Sequence, residues 1–202
     1  MASPVNGLVL AGGKSVRMGQ DKSAIAWHGK AQQYYLADLL APLCDAVFIS
    51  KREAETGNDH GYPILADSYK GIGPYGAILS AFAFQPDVAW LILACDLPLV
   101  DHRTMSFLME NRDASSMATT FQSPADGLPE PLIAIWEPKS YGLLLSCLSN
   151  GYTCPRKVLI KSNDAHILQP PDRDSLMNVN TKEDFAKAEQ ILITKALHHD
   201  GR

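Results

Sequence analysis

Short apolar runs alternate with segments of helical periodicity along most of the chain. Five runs have the length and composition of buried strands: Leu8–Leu10, Ala46–Ile49, Ala89–Ala94, Met117–Thr120 and Leu132–Trp136. Segments with a helical pattern lie between several of them, at Ala31–Leu40, Tyr75–Ala83 and Thr104–Asn111, and Asp101 is a candidate N-cap for the third. Strands that alternate with helices predict an α/β fold with a doubly wound, mostly parallel sheet that is covered on both faces.

The last quarter of the chain is less regular. Thr181–Asp184 has the pattern of a capping box and precedes an amphipathic segment at Phe185–Ala196, which predicts a terminal helix. The stretch between residues 149 and 174 is polar and contains prolines, and its short strand candidates are Val158–Ile160 and His166–Leu168. A chain of 202 residues is expected to form one domain with a single substantial core.

Composition excludes several classes of partner. The net charge of −4 gives no reason to expect binding to nucleic acid or to an anionic membrane surface. No run approaches the roughly 18 apolar residues of a membrane helix, and the amino terminus shows no signal-peptide pattern. The four cysteines lack metal-ligand spacing, which favours reduced thiols and a cytoplasmic protein.

Against this acidic background, the loop after the first strand is rich in glycine and cations. Gly12, Gly13 and Gly19 allow main-chain N–H groups to face an anion without a Cβ in the way. Arg17 and Lys22, which flank Gly19, have the charge that a polyphosphate requires. The alternative is that both cations are solvated loop residues. The pattern favours a nucleotide-handling enzyme.

Two familiar phosphate-binding motifs are not satisfied. A P-loop requires a glycine five residues before the glycine of Gly-Lys-[Ser/Thr], and none stands at that distance from Gly13. The stretch from Gly71 to Gly76 reads G-x-G-x-x-G, but a polar segment precedes it and Pro74 lacks a backbone donor. A dinucleotide-binding fold would also place this motif at its first strand, not at its third unit.

Two aspartates follow predicted strands and are candidates for the same site as the glycine loop. Asp96 comes after the apolar run that ends at Ala94, and open α/β sheets bind ligands at the carboxyl ends of their strands. A carboxylate that faces a polyphosphate is suited to hold Mg²⁺, although Asp96 could instead cap the turn before Pro98. Asp67 either accepts hydrogen bonds from a ribose or base, or stabilises its own turn.

The motifs together resemble a known family. The stretch Leu10–Lys22 is similar to the signature of sugar-1-phosphate-type nucleotidyltransferases, and its Arg-Met-Gly-x-Asp-Lys ending most resembles the molybdenum cofactor guanylyltransferases. Further matches, which extend over most of the chain, are Asp67, Gly73-Pro74-x-Gly76, Cys95-Asp96-x-Pro98 and Asn178-Val179-Asn180-Thr181-x-Glu183-Asp184.

This resemblance implies a single Rossmann-like, nucleotide-diphospho-sugar-transferase-like domain over residues 1–202, with a nucleotide-binding part at about 1–100 and an acceptor-binding part at about 101–202. The implied activity is Mg²⁺-dependent transfer of GMP from GTP to molybdopterin, with release of pyrophosphate. Transient complexes with molybdoenzyme maturation proteins are compatible with such a role.

The resemblance also implies roles for individual residues. Nucleotide contacts fall on the strand end and glycine loop, on Lys22 for the phosphates and on two aspartates: Leu10, Ala11, Gly12, Gly13, Lys22, Asp67 and Asp96. Asp96 would bind Mg²⁺, and Arg17, Lys22 and Asp96 would form the catalytic set. Asn178 and Asn180 would lie near the acceptor, while Arg156 either contacts the anionic acceptor or forms a solvated pair with Lys157.

One position departs from the family pattern. After the second strand the family commonly has an asparagine that reads the guanine edge, whereas this chain has Ser50-Lys51-Arg52. A lysine ammonium cannot accept hydrogen bonds from guanine N1–H and N2–H₂. CMP transfer from CTP, a related sugar-phosphate nucleotidyl transfer and a non-catalytic nucleotide-binding module therefore remain alternatives.

Overall fold

The protein folds as one mixed sheet flanked by helices. A computed structural model describes residues 3–12, 22–52 and 58–199. In these ranges the strands are β1 (Val5–Leu10), β2 (Ala46–Lys51), β3 (Asn58–Asp59), β4 (Tyr62–Ala66), β5 (Ala89–Ala94), β6 (Ala118–Gln122), β7 (Pro129–Trp136) and β8 (Ala165–Leu168). The helices are α1 (Gln32–Leu40), α2 (Pro74–Phe84), α3 (His102–Glu110), α4 (Ser140–Ser149), α5 (Pro155–Ser162) and α6 (Lys182–His199).

The strands form a single sheet in the order β3-β4-β2-β1-β5-β7-β6-β8. The central strands β4, β2, β1 and β5 pair in parallel, and β8 is parallel to β6. The direction reverses at β7, which is antiparallel to both β5 and β6. The predicted doubly wound, mostly parallel sheet is confirmed, with this reversal as the exception among the longer strands.

Alternation of side chains along the central strands divides the core into two layers. In β5, Leu91 and Leu93 pack toward the layer that contains α1 and α3, whereas Trp90 and Ile92 pack toward the layer of α2, α4 and α5. All of β5 is buried, as expected for a strand with helices on both faces. The fully buried Trp136 of β7 extends the second layer.

The segment between residues 149 and 174 differs from its prediction in one element. Val158–Ile160, predicted as a strand, lies within helix α5. Pro155 occupies the first turn of this helix, where its missing N–H costs nothing. Val158 and Leu159 follow at helical spacing and are buried. Three apolar residues in a row suit either element, and the packing of α5 decides between them. The strand at His166–Leu168 is confirmed within β8.

Both predicted helix caps are present. The Asp101 carboxylate accepts a hydrogen bond of 2.8 Å from Thr104 N at the start of α3. At the start of α6, the Thr181 hydroxyl accepts from Asp184 N at 3.1 Å, and the Asp184 carboxylate accepts from Thr181 N at 2.9 Å. This reciprocal pair is a capping box. Among the helices of the described ranges, none combines the length and apolar character that crossing a membrane would require.

We predict that Gly76 in α2 cannot be replaced by alanine without loss of stability. A Cβ at this position would lie 2.1 Å from the Tyr69 carbonyl oxygen, so the helix and the preceding loop would have to separate. We expect Gly76→Ala to lower the free energy of unfolding by about 2 kcal/mol or more, measured by urea denaturation. Gly142→Ala in α4 is the matched control, because its Cβ would meet no atom within 4 Å. Equal stability of the two variants would contradict this packing.

Candidate active site

The carboxyl ends of the parallel strands lie side by side at one edge of the sheet. Leu10 at the end of β1 pairs with Ser50 of β2 and with Ala94 of β5. Ala11 N extends this pairing with a hydrogen bond of 3.1 Å to the Ser50 carbonyl. The strand ends therefore bring Gly12 to the same edge as Asp96, which stands two residues beyond β5.

Asp67 reaches this edge from the end of β4. Its N–H donates to the Lys51 carbonyl at 3.1 Å, and its Oδ1 accepts from the Ser50 hydroxyl at 2.8 Å. Burial raises the pKa of Asp67, while the Ser50 hydrogen bond and the charge of Arg52 act in the opposite direction. Asp67 is only 8% exposed, so the hydrogen bond from Ser50, and not contact with water, orients its carboxylate.

Lys51 and Arg52, which stand where the sequence departs from the family pattern, have different neighbours at the end of β2. Lys51 forms an ion pair with Asp59 of β3, which directs its ammonium toward the edge strand. Arg52 lies against Gly12, where a Cβ would come within 2.9 Å of the Arg52 Cγ. Gly12 is therefore needed for the close approach of the glycine loop to the end of β2.

Asp96 is a second acid at this edge whose pKa is raised. Burial raises the pKa of Asp96, the charge of Lys22 opposes that rise, and the charge of Glu130 adds to it. The Asp96 carbonyl accepts a hydrogen bond of 2.9 Å from Val179 N, which ties the segment before α6 to the end of β5. The charges of a lysine from the amino-terminal part and of a glutamate from β7 therefore both act on this aspartate.

Lys22 and Asn180 are in direct contact although they are far apart in sequence. Lys22 Nζ donates to Asn180 Oδ1 at 2.7 Å. Lys22 begins a short 3-10 helix that ends at Ala24. The predicted nucleotide-binding and acceptor-binding parts therefore meet at this pair. Gly13 and Arg17, which the sequence also predicts at the site, lie outside the described residues.

A cavity of about 380 Å³ opens beside Asp96. Its polar lining includes Asp96, Arg156 and Asn178, which the sequence placed at the metal and acceptor sites, together with Glu130. Leucine, isoleucine and proline side chains form much of the remaining wall. Arg156 lies in the first turn of α5 and is not a solvated pair with Lys157. Its Nη1 donates to Asp126 Oδ2 at 2.8 Å and its Nη2 donates to Glu130 Oε2 at 2.6 Å.

Sequence reasoning missed Glu130. Site residues were predicted at the carboxyl ends of strands, whereas Glu130 stands near the beginning of β7. Leu93 near the end of β5 pairs with Ile133, so the residues that follow β5 lie near the beginning of β7, and Asp96 and Glu130 line the same cavity. The signal in the sequence is an acidic residue between two prolines in an otherwise apolar strand, which is unusual for a buried position.

A divalent cation at this edge would need oxygen ligands from the acidic side chains. Within the ranges that the structure describes, no group of three or more His, Cys, Asp or Glu side chains is arranged to hold a metal. Such a group is typical of closed metal sites, but Mg²⁺ bound with a nucleotide needs only one or two carboxylates plus phosphate oxygens and water. A carboxylate at the mouth of a cavity, as Asp96 provides, fits that second arrangement.

We predict that the Ser50 hydroxyl lowers the pKa of Asp67. Ser50→Ala removes a donor that stabilises the charged carboxylate, so the pKa of Asp67 should rise further above its ordinary value. Carbon-13 NMR titration of the aspartate carboxyls would measure the change. Ser149→Ala is the control, because that exposed hydroxyl donates only to the Ser146 carbonyl. An Asp67 titration that is the same in Ser50→Ala as in the unmodified protein would contradict the assignment.

Comparisons with known proteins agree with this architecture. Solved structures with the same fold include molybdopterin-guanine dinucleotide biosynthesis protein A from Archaeoglobus fulgidus, with a TM-score of 0.73, 21% identity and coverage of 94% of this chain and 99% of that one. They also include 2-C-methyl-D-erythritol 4-phosphate cytidylyltransferase from Thermus thermophilus, with a TM-score of 0.65, 12% identity and coverage of 95% and 98%.

Sequence relatives extend over nearly the whole chain. A molybdenum cofactor biosynthesis bifunctional protein from Synechocystis is 34% identical over 187 residues, which are 92% of this chain and 54% of that protein, so the chain spans about half the length of that relative. A probable molybdenum cofactor guanylyltransferase from Bacillus subtilis is 28% identical over 191 residues, or 91% of this chain and 94% of that protein. The model of the MobA-like NTP transferase domain matches residues 7–166, and the chain belongs to this nucleotidyltransferase family.

Proposed function

We propose that this protein transfers GMP from GTP to molybdopterin, with release of pyrophosphate. The observation that carries the proposal is the position of Asp96 between two groups of residues. Gly12 and Asp67 follow strands on one side of β5 in the sheet order, and the cavity with Arg156 and Asn178 includes residues of β7 on the other side. A transfer between two phosphorylated substrates needs such a junction. The guanylyltransferase names of the full-length relatives support the same reaction.

The nucleotide would occupy the edge formed by the ends of β1, β2 and β4. Backbone N–H groups after Ala11 would approach the triphosphate, because Gly12 has no Cβ. The charge of Lys22, together with that of Arg17, would offset the charge that develops on the departing pyrophosphate. Asn180 holds the Lys22 ammonium in place through the hydrogen bond at 2.7 Å.

The base would be guanine. The Asp67 carboxylate only accepts hydrogen bonds, and the guanine edge presents the two adjacent donors N1–H and N2–H₂. Cytosine presents a single donor, its amino group, beside acceptors that a carboxylate repels. The ion pair of Lys51 with Asp59 keeps the lysine ammonium of the departing position away from that edge.

The reaction joins an acceptor phosphate oxygen to the α-phosphorus of GTP while the bond to the bridging oxygen of pyrophosphate breaks. A phosphate monoester is already ionised near neutral pH, so no side chain has to remove a proton. Asp96 would hold Mg²⁺, which supplies Lewis-acid stabilisation of the phosphate oxygens when bound. The protein then contributes position and charge, through Lys22 on the nucleotide side and Arg156 and Asn178 on the acceptor side.

We predict that Asp96→Asn lowers kcat/KM for GMP transfer by a factor of at least ~10², because the amide lacks the charge that holds the cation. Pyrophosphate release from GTP and molybdopterin would be measured, with circular dichroism as the test of folding. Asp87→Asn, at an exposed residue after α2, is the control and should keep full activity. Turnover by the Asp96→Asn variant close to that of the control would remove Asp96 from the mechanism.

We also predict that GTP is preferred over CTP by a factor of at least ~10² in kcat/KM, because cytosine would leave the buried Asp67 carboxylate facing acceptors. The same pyrophosphate assay with each nucleotide measures this ratio. A higher rate with CTP would assign the protein to CMP transfer. Release from neither nucleotide in the presence of acceptor would favour a non-catalytic nucleotide-binding module.

A further inference from the structure

Glu130 is a buried acid that the proposed chemistry does not use. Its side chain is only 11% exposed and lines the cavity beside Asp96. Burying a carboxylate costs several kcal/mol unless it is paired and hydrogen-bonded. Both oxygens of a carboxylate in this position therefore need hydrogen-bond donors.

Arg156 satisfies only part of this requirement. Its Nη2 donates to Glu130 Oε2 at 2.6 Å, while Glu130 Oε1 receives no hydrogen bond from any side chain or backbone group in the described ranges. An ionised carboxylate has about four acceptor positions. Glu130 therefore presents unused acceptor capacity to the cavity.

The charge of the cavity limits what can face Glu130. Arg156 is shared between two carboxylates, those of Asp126 and Glu130, and Asp96 adds a third acid nearby. A phosphate next to Glu130 would be repelled. The ligand group at this position must instead be a hydrogen-bond donor, and it must be flat or apolar elsewhere because Leu97, Leu132 and Leu176 form adjacent walls.

We infer that Glu130 recognises the pterin ring of the acceptor, through hydrogen bonds from the ring N3–H and the 2-amino group to its carboxylate. These two donors lie side by side on a flat, otherwise weakly polar ring, which matches the carboxylate and its apolar walls. The inference rests on the proposed function, since it names how that acceptor is chosen. Arg156 acts here as a positioning residue that holds Glu130 toward the cavity.

The test uses two ring probes without a phosphate. 6-Hydroxymethylpterin carries the 2-amino group, and 6-hydroxymethyllumazine has an oxygen in its place. Binding of each to the nucleotide-free full chain would be measured by ring fluorescence. We expect the unmodified protein to bind the pterin at least ~10-fold more tightly than the lumazine. Glu130→Gln should abolish this preference, because an amide can donate to the lumazine oxygen as well as accept.

Asp126→Asn is the matched control. It removes the other carboxylate that Arg156 contacts and leaves Glu130 in place. If Glu130 only held Arg156, the two variants would change the affinity for both probes alike. In the proposed role, Asp126→Asn keeps the preference for pterin and Glu130→Gln loses it. Thermal melting of both variants would show that each is folded.

Equal binding of the two rings by the unmodified protein, or no binding of the pterin at millimolar concentration, would overturn the assignment of Glu130. So would an undiminished preference in Glu130→Gln. GMP transfer, measured separately by pyrophosphate release, distinguishes this failure from failure of the proposed function. If the protein transfers GMP but binds both rings equally, only the role of Glu130 is overturned. If it prefers the pterin but transfers no GMP, only the proposed reaction is overturned.

Discussion

The parallel pairing of β1 between β2 and β5 determines where the site lies. Each strand is held to its neighbours by backbone hydrogen bonds in a fixed register, so Leu10 stands beside both Ser50 and Ala94. A shift of one residue would exchange the side chains that β1 and β5 direct into the two core layers, so both layers would have to repack. Because the core forbids that shift, the residues that follow these strands must emerge at one edge.

The reversal at β7 adds the other half of the site. An antiparallel strand beside β5 presents its beginning, not its end, to the ligand edge, and Glu130 of β7 lines the same cavity as Asp96 there. Burial and the neighbouring Glu130 charge both raise the pKa of Asp96, and Lys22 opposes them. The charge state of this aspartate therefore depends on three elements that are distant in the chain. A bound cation would shift the balance further toward the carboxylate.

The segment before α6 joins these parts together. Val179 is buried against Leu99 and Ala188, and its N–H donates to the Asp96 carbonyl. The capping box of Thr181 and Asp184 then fixes the first turn of α6 directly after Asn180. Asn180 is consequently held where its side-chain Oδ1 can accept a hydrogen bond from the Lys22 ammonium. Helix α6, which packs on the outside of the sheet, thus helps to align the Lys22 ammonium at the edge of the sheet where the strands end.

Local patterns were sufficient for much of the molecule. The long buried strands, the helices α1 to α3 and both capping signals follow from periodicity and from residues whose preferences are strong over short distances, such as Asp101 and Thr181. Prediction was weaker for α5, because Val158–Ile160 fits a strand or a helix equally well without its packing partners. The roles of Leu10, Ala11, Gly12 and Asp67 at the edge stay predictions that the geometry makes possible.

The fold class, the glycine-rich stretch and the aspartates that follow strands could be predicted from the chain, because each depends on residues that are near one another in sequence. The direction of β7 against β5, the placement of Glu130 in the same cavity as Asp96 and the sharing of Arg156 between two acids come from the tertiary structure. Those relations depend on strand direction and on side chains that are distant in the chain, and local periodicity is the same for a strand that runs either way.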